Sequence, residues 1–505
     1  MNRMLPRSFA LLFSLLFATR VMPAQEHSPH LQDAKSKSVS SGRMTRHLLL
    51  FEAIPISTRS EEARKFTELA LDKYENVMVD DAIVQAQHAT QTDPDFALGY
   101  AVLSFVSRRG TNNAALTRAK VLLPRAMPDE QLMARWMISI QDRNLVPAIS
   151  SMNDLLKRYP KNKHVLYLVS AWLYSQQDSD RAQKMMEALL QLDPTFPPVL
   201  NMLGYSYIES GRPDPAKAVM AMKRYTEVDP SSPNPEDSLG EVLRYTGDDE
   251  GSLEHYSAAL QIDPTFFTSQ LGLGDTLTLM GKYDDARLEY DKAIRISENN
   301  RDLLHASYQK VLVYFWEGRA EEGRSALAAL GTEAIGKKEL GAYVEIALGA
   351  AMLAGDYGSE LHQLRTLEET LQISSDGMTS ADHGAAMAKV LCEEVRIASH
   401  YGIRETAEQA VAKLAKYAAQ SGDLVVGNNY ETARGYVSLS QGDLASAADG
   451  FSANRRSPLT VQQLGLVRQK SGDNTGATEA FTELKYQRAP TPEWYLATTS
   501  RNVHD

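Results

Sequence analysis

The stretch LGDTLTLMGKYDDARLEYDKAIRI, residues 273–296, decides how the rest of the chain is read. Leu273 and Leu277 stand four apart, and Tyr290 and Ala293 three apart, so each pair shares one face of a helix. Gly281 falls between the two apolar pairs, where a left-handed residue ends the first helix. Asp284 and Asp285 then fall in the first turn of the second helix, where the positive end of its dipole favours carboxylates. Gly274 and Ala286 are small where two backbones must approach closely. Two short amphipathic helices therefore seal against each other, and the apolar face left open needs a neighbouring unit to cover it.

Working outward, the same slots recur. Leu239, Gly240, Leu243, Gly247, Ser252, Tyr256, Ala259 and Pro264 hold them one unit earlier, and Met186 and Met222 fall where Tyr256 does, which makes them core filling. Pro160, Pro194, Pro230 and Pro264 are spaced by 34, 36 and 34 residues, and Leu203-Gly204 opens the unit before Leu239-Gly240. The Asp263-Pro264 pair closes a unit, since the residue before proline avoids helical geometry. A ladder of glycines at 211, 247, 281, 318, 355, 402, 442 and 472 predicts the turns between helices.

A fixed period of this length means a repeat array, and these residues resemble the tetratricopeptide repeat family. The consensus-like part runs over residues 164–300, with weaker matches at Ala82, Ala86, Ala89 and Pro94, and at Leu464, Gly465, Gly472, Ala477 and Phe481. The resemblance implies an all-α, right-handed α-solenoid of about twelve antiparallel helix pairs between Ser60 and Gln487. The expected organisation is degenerate repeats over 58–194, consensus-like repeats over 195–300, divergent hairpins over 301–426 and further repeats over 427–488, followed by a capping segment and tail over 489–505. Thr58 and Glu61 have the spacing of a capping box at the first helix, and Trp494 is expected to seat on the last unit as a cap.

The chain has 505 residues, about three times a typical domain, so several domains or one array is expected. Apolar residues make up 43% and charged residues 23%, enough for a packed core. With 53 Lys and Arg against 64 Asp and Glu the net charge is -11, which argues against nucleic acid or an anionic membrane as a general partner. Cys392 is the only cysteine, so no intrachain disulfide or thiolate cluster can form. Arg3 and Arg7 precede an apolar run from Phe9 to Ala18 and then small residues as far as Ala24, the order of a secretory signal over 1–24. The run is too short to span a bilayer comfortably. Residues 25–57 are expected to form a flexible leader, its polar part rich in Ser, Lys, Gln and His. Export to a bacterial periplasm or cell envelope follows as an expectation.

No phosphate loop, HExxH, GxSxG or EF-hand pattern occurs, and Gly272 and Gly274 belong to the repeat. His88, His164, His255, His305, His362, His383 and His400 are scattered and read as surface or interface residues, and Cys392 reads as a buried, inert thiol. No enzyme, metal site or cofactor is expected. What remains is a binding surface. In the family that the chain resembles, the first helix of each pair lines a concave groove that holds a partner. Carried over position by position, this points to Asn201, Tyr205, Glu209, Asp237, Glu241, Arg244, Tyr245, Thr268, Asp275 and Thr278, a mixture of aromatic, amide and acidic groups suited to a protein or peptide with basic character. The expected function is a non-enzymatic scaffold. The alternatives are a subunit of an envelope secretion or polysaccharide-export assembly, and a glycan- or peptide-acting enzyme.

Overall fold

The structure, a computed structural model, describes residues 54–499 apart from 77, 108–111, 143 and 376. The export signal and most of the leader lie outside the described residues. Among those described there are no strands: 25 α-helices and one short 3-10 turn follow one another, and the helices group as twelve successive antiparallel pairs with a single last helix, Pro492–Thr499. This is an all-α solenoid. By its contacts the chain divides into two compact units at Val199 and Leu200, inside the helix Pro197–Ile208.

The first unit corrects three expectations. The end of the leader is packed rather than flexible: Ile54 and Ile56 are buried, and the Ser57 amide donates to Glu130 Oε2 at 2.6 Å while the Leu98 amide donates to Glu130 Oε1 at 3.2 Å. One buried carboxylate thus ties the entering chain to the second pair, because apolar Ile54 and Ile56 gain more from burial than the backbone loses in freedom. The cap of the first helix, Glu61–Glu75, is Ser60, whose hydroxyl accepts from the Ala63 amide. Thr58 instead donates to Asp93, so its pairing with Glu61 does not form. His164, expected at a surface or interface, is buried, with Nδ1 against both oxygens of Glu75 at 2.9 and 3.0 Å.

In the second unit the slots behave as their chemistry demands. Tyr290 and Tyr256 are buried, and a Cβ added to Gly274 would come within 2.5 Å of the Tyr290 ring. Met222 fills the equivalent place and stands 2.6 Å from a Cβ at Gly204. Seven of the eight ladder glycines have positive φ, as at Gly281, where the Gly281 amide donates to Thr278 O and the Lys282 amide to Leu277 O. Gly211 is the exception. Its need for a missing Cβ comes from Arg455, whose guanidinium would lie 3.1 Å from that atom.

That contact reports how the second unit curls. Arg455 donates to the Gly211 carbonyl across 244 residues of sequence, and Arg488 holds both carboxylate oxygens of Asp249 at 2.9 and 3.0 Å while donating to the Arg244 carbonyl. The turns of its first pairs therefore meet the loops of its last. The helix Pro492–Thr499, expected as an end cap, lies on the inner side of this curl: Trp494 is buried in the cluster that includes Leu464, Val467 and Cys392, and Tyr495 makes edge contacts with Phe315 and Trp316 at ring distances of 6.4 and 5.2 Å. A segment of eight residues touches the first helices Asn300–Trp316, Ser380–His400 and Pro458–Lys470 together only where their common surface is concave.

Candidate functional site

The first helices of successive pairs in the second unit carry a continuous polar strip, built where an amphipathic helix turns its non-packing face away from its partner helix. At its start Tyr205 donates to Glu241 Oε2 at 2.8 Å, and the Tyr245 hydroxyl donates to Glu241 Oε1. Arg244 reaches Glu241 at 3.2 Å and Asp275 at 2.5 Å, and Tyr290 donates to the other oxygen of Asp275 at 2.8 Å. Three pairs are thus stitched by one chain of charge-assisted hydrogen bonds.

This arrangement settles where each expected groove residue lies. Asp237, Arg244, Tyr245 and Thr278 are buried, and Asn201, Tyr205, Glu209, Glu241, Thr268 and Asp275 are half-buried. Arg244 in particular is only 3% exposed. Tyr205, Arg244 and Asp275 each bind a neighbouring helix's side chain, because a polar group brought into a narrow curl is stable only when paired. Thr278 donates to the Gly274 carbonyl of its own helix.

The electrostatics follow from that confinement. Burial pushes the Asp237 carboxyl up to about 7, against the Ser269 hydroxyl that donates to it at 2.6 Å. Burial opposes the charge on Arg244, yet Tyr256, Asp275 and Glu241 together raise it above the ordinary arginine value. Tyr205, Tyr256 and Tyr290 are held well above the usual phenol range, chiefly by burial. They serve as neutral donors.

Beyond Asp275 the strip continues through His305, which the sequence reads as a surface or interface residue, and through residues that the sequence reading did not single out. His305 lies 3.4 Å from Glu345, and their side chains are 29% and 49% exposed. Burial disfavours charge on both, but each is outweighed by the other, which raises the histidine and lowers the glutamate. Groups that solvent reaches and that protein nonetheless surrounds are groove walls. Lys389, Glu393 and Arg396 come next on the helix Ser380–His400, with Arg396 Nε donating to Glu393 at 2.6 Å. Cys392, between them, is buried, and burial pushes its thiol well up. Such a thiol is a poor nucleophile. Among the described residues no cluster of His, Cys, Asp and Glu has the arrangement of a metal site, and no helix is long and apolar enough to cross a membrane.

Comparison with known proteins agrees with the repeat reading. Two family models described as tetratricopeptide repeat match residues 173–230 and 268–300. Among solved structures, yeast Tom70 is 14% identical, with 84% of this chain and 90% of that chain covered at a TM-score of 0.42. A tetratricopeptide repeat protein from Parabacteroides merdae is 16% identical, covering 54% of this chain and 93% of its own at 0.34. PilW, a widely conserved type IV pilus biogenesis factor, is 19% identical, covering 39% and 89% at 0.33. No curated protein matches the chain.

Proposed function

The chain is a tetratricopeptide-repeat protein, and from this we propose that it is a non-enzymatic protein–protein interaction scaffold of the cell envelope, binding its partner along the inner strip of the second unit. The observation that carries the reading is the strip itself. Glu241, Asp275 and Glu345 lie on first helices of the second unit, Glu209 directly follows the helix Pro197–Ile208, and all four remain partly reached by solvent. Acidic groups outnumber basic ones there, so the partner is a protein or peptide with basic character, attracted by charge complementarity. Of the expected groove residues, Asn201, Tyr205, Glu209, Glu241, Thr268 and Asp275 supply the contact surface, and Asp237, Arg244, Tyr245 and Thr278 hold its shape.

The envelope location rests on Arg3, Arg7 and the apolar run from Phe9 to Ala18. Mass spectrometry of the protein recovered from its own cells should find the chain shortened near Ala24 and outside the cytoplasm. An intact Met1 on a soluble cytoplasmic product would overturn that part. For the scaffold itself, crosslinking pull-down from envelope extract should recover the same partner with the wild-type chain and with a variant changed on exposed second helices, and should lose it when Glu209 and Glu345 are both replaced by Lys. Equal recovery with the charge-reversed chain would place the binding face elsewhere.

A further inference from the structure

The last helix supplies an inference that rests on reading the inner side of the second unit as its binding face. Pro492–Thr499 is eight residues long, too short to hold helical form alone in water, so its order comes from the surface it lies on. That surface is made to measure. Trp494 and Ala497 are buried, Tyr495 packs edge-on against Phe315 and Trp316, and the buried Gln462 side chain donates to the Ala497 carbonyl at 2.6 Å. These are anchors of the kind that a helix-in-groove ligand uses.

Two features show that the fit is incomplete. Glu493 Oε2 and Arg396 Nη2 are both buried and have no hydrogen-bond partner among the described residues. Burial pushes the Glu493 carboxyl up, with Ser457 acting against this, Glu393 adding to it, and Lys389 and Arg396 again opposing. A carboxylate seated a little differently would satisfy a cation that the chain's own helix leaves short, and an unsatisfied buried group is costly. The helix is also tethered only through residues 486–491, which no helix includes. It can leave without unravelling a repeat.

We propose that the surface under Pro492–Thr499 is a binding site for a partner's helical segment carrying an acidic residue followed by two aromatics, and that the chain's own last helix fills this site as a displaceable self-ligand. The two halves of the groove then differ in taste: the strip from Glu209 to Glu345 favours basic character, and the site beside Lys389 and Arg396 favours an acidic–aromatic helix. Binding at the second requires release of the self-ligand first, which lowers apparent affinity by the fraction of chains in which the site is open.

The probe is a fluorescein-labelled synthetic peptide of residues 489–499, with anisotropy as readout. A chain ending at Arg488 should bind it, and the full chain should bind at least about a hundredfold more weakly, since a short tether competes at an effective concentration on the order of millimolar. Trp494→Ala in the peptide should weaken binding to the shortened chain at least about tenfold. If the shortened chain loses its helicity, the full chain with Trp494→Ala and Tyr495→Ala takes its place as the opened form and should bind the wild-type peptide. No binding by whichever opened form remains folded would overturn the proposal. So would a full chain that dimerises by exchanging this helix, since the occupant would then be a second copy. Failure here with envelope capture through Glu209 and Glu345 intact sinks only this site, whereas peptide binding without such capture sinks the scaffold reading.

Discussion

Along the inner side of the second unit, the helices from Pro197–Ile208 to Phe267–Leu279 satisfy their charges with one another, whereas those from Asn300–Trp316 to Ser380–His400 meet a segment from the end of the chain. Both stretches come from the same repeat geometry, yet one is locked by Tyr205, Glu241, Arg244, Asp275 and Tyr290, and the other is covered by a short helix. A lock made of neighbouring repeats can open only if the repeats part. A cover made of a tethered helix can leave while the repeats stay. The difference is between a surface fixed by its own repeats and one covered by a tethered segment.

The largest effect should come from breaking the lock. Arg244→Ala removes a cation with almost no exposure and leaves Glu241 and Asp275 facing each other, which should cost about 3–5 kcal/mol. Chemical denaturation followed by circular dichroism checks it. A loss under about 0.5 kcal/mol, the scale of an ordinary surface change, would mean that the network is ornament and the two halves are alike.

Breaking the cover should cost less and stay local. Trp494→Ala should weaken docking of the last helix by about 2 kcal/mol, the worth of one large apolar side chain. Hydrogen exchange should accelerate in residues 492–499 and remain unchanged in residues 233–296. Acceleration in both would show that the helix is a structural member of the solenoid.

A third experiment sharpens the contrast through pH. The Asp237 carboxyl is pushed up to about 7 by burial, above its value in an unfolded chain, so the folded state binds more protons in between. Its contribution is complete below the unfolded pKa and is lost as pH rises toward and through about 7, with a slope of at most about 1.4 kcal/mol per pH unit. Denaturation midpoints measured from pH 5 to 7.5 should show this decline in the wild-type chain and a flatter profile in Asp237→Asn. Parallel profiles would mean that the Asp237 carboxyl binds its proton alike in the folded and unfolded chain.

The smallest effect concerns the closure of the curl. Arg488 and Asp249 are each about one-fifth exposed, so Arg488→Ala should cost about 1 kcal/mol or less, and the difference from wild type should shrink in high salt. A salt-independent loss would point to the Arg244 carbonyl contact as the part that matters.

The helices, their pairing and their turns were legible in the sequence because they depend on neighbours three, four or about 34 residues away. Leu273 with Leu277, Tyr290 with Ala293, and seven glycines at helix ends need no knowledge of distant chain. The groove positions came from the family resemblance, and how far each one is exposed or already paired was not legible. Whether Arg244 waits for a partner or is spent on Asp275 depends on how closely adjacent pairs approach, and a repeat pattern does not encode that distance. Ser60 in place of Thr58 as the first cap shows the same limit at short range: Asp93, 35 residues on, competes for the threonine hydroxyl.

The sequence by itself determined that this chain is an array of helical hairpins, since local periodicity and small residues at crossing points allow little else. The tertiary structure alone decided that Gly211 answers to Arg455, that Arg488 closes on Asp249 across 239 residues, and that the last helix turns inward to lie on Phe315 and Trp316. These depend on the small rotation between one pair and the next. Summed over the repeats of the second unit, that rotation brings its last loops to its first turns, and no single repeat contains it.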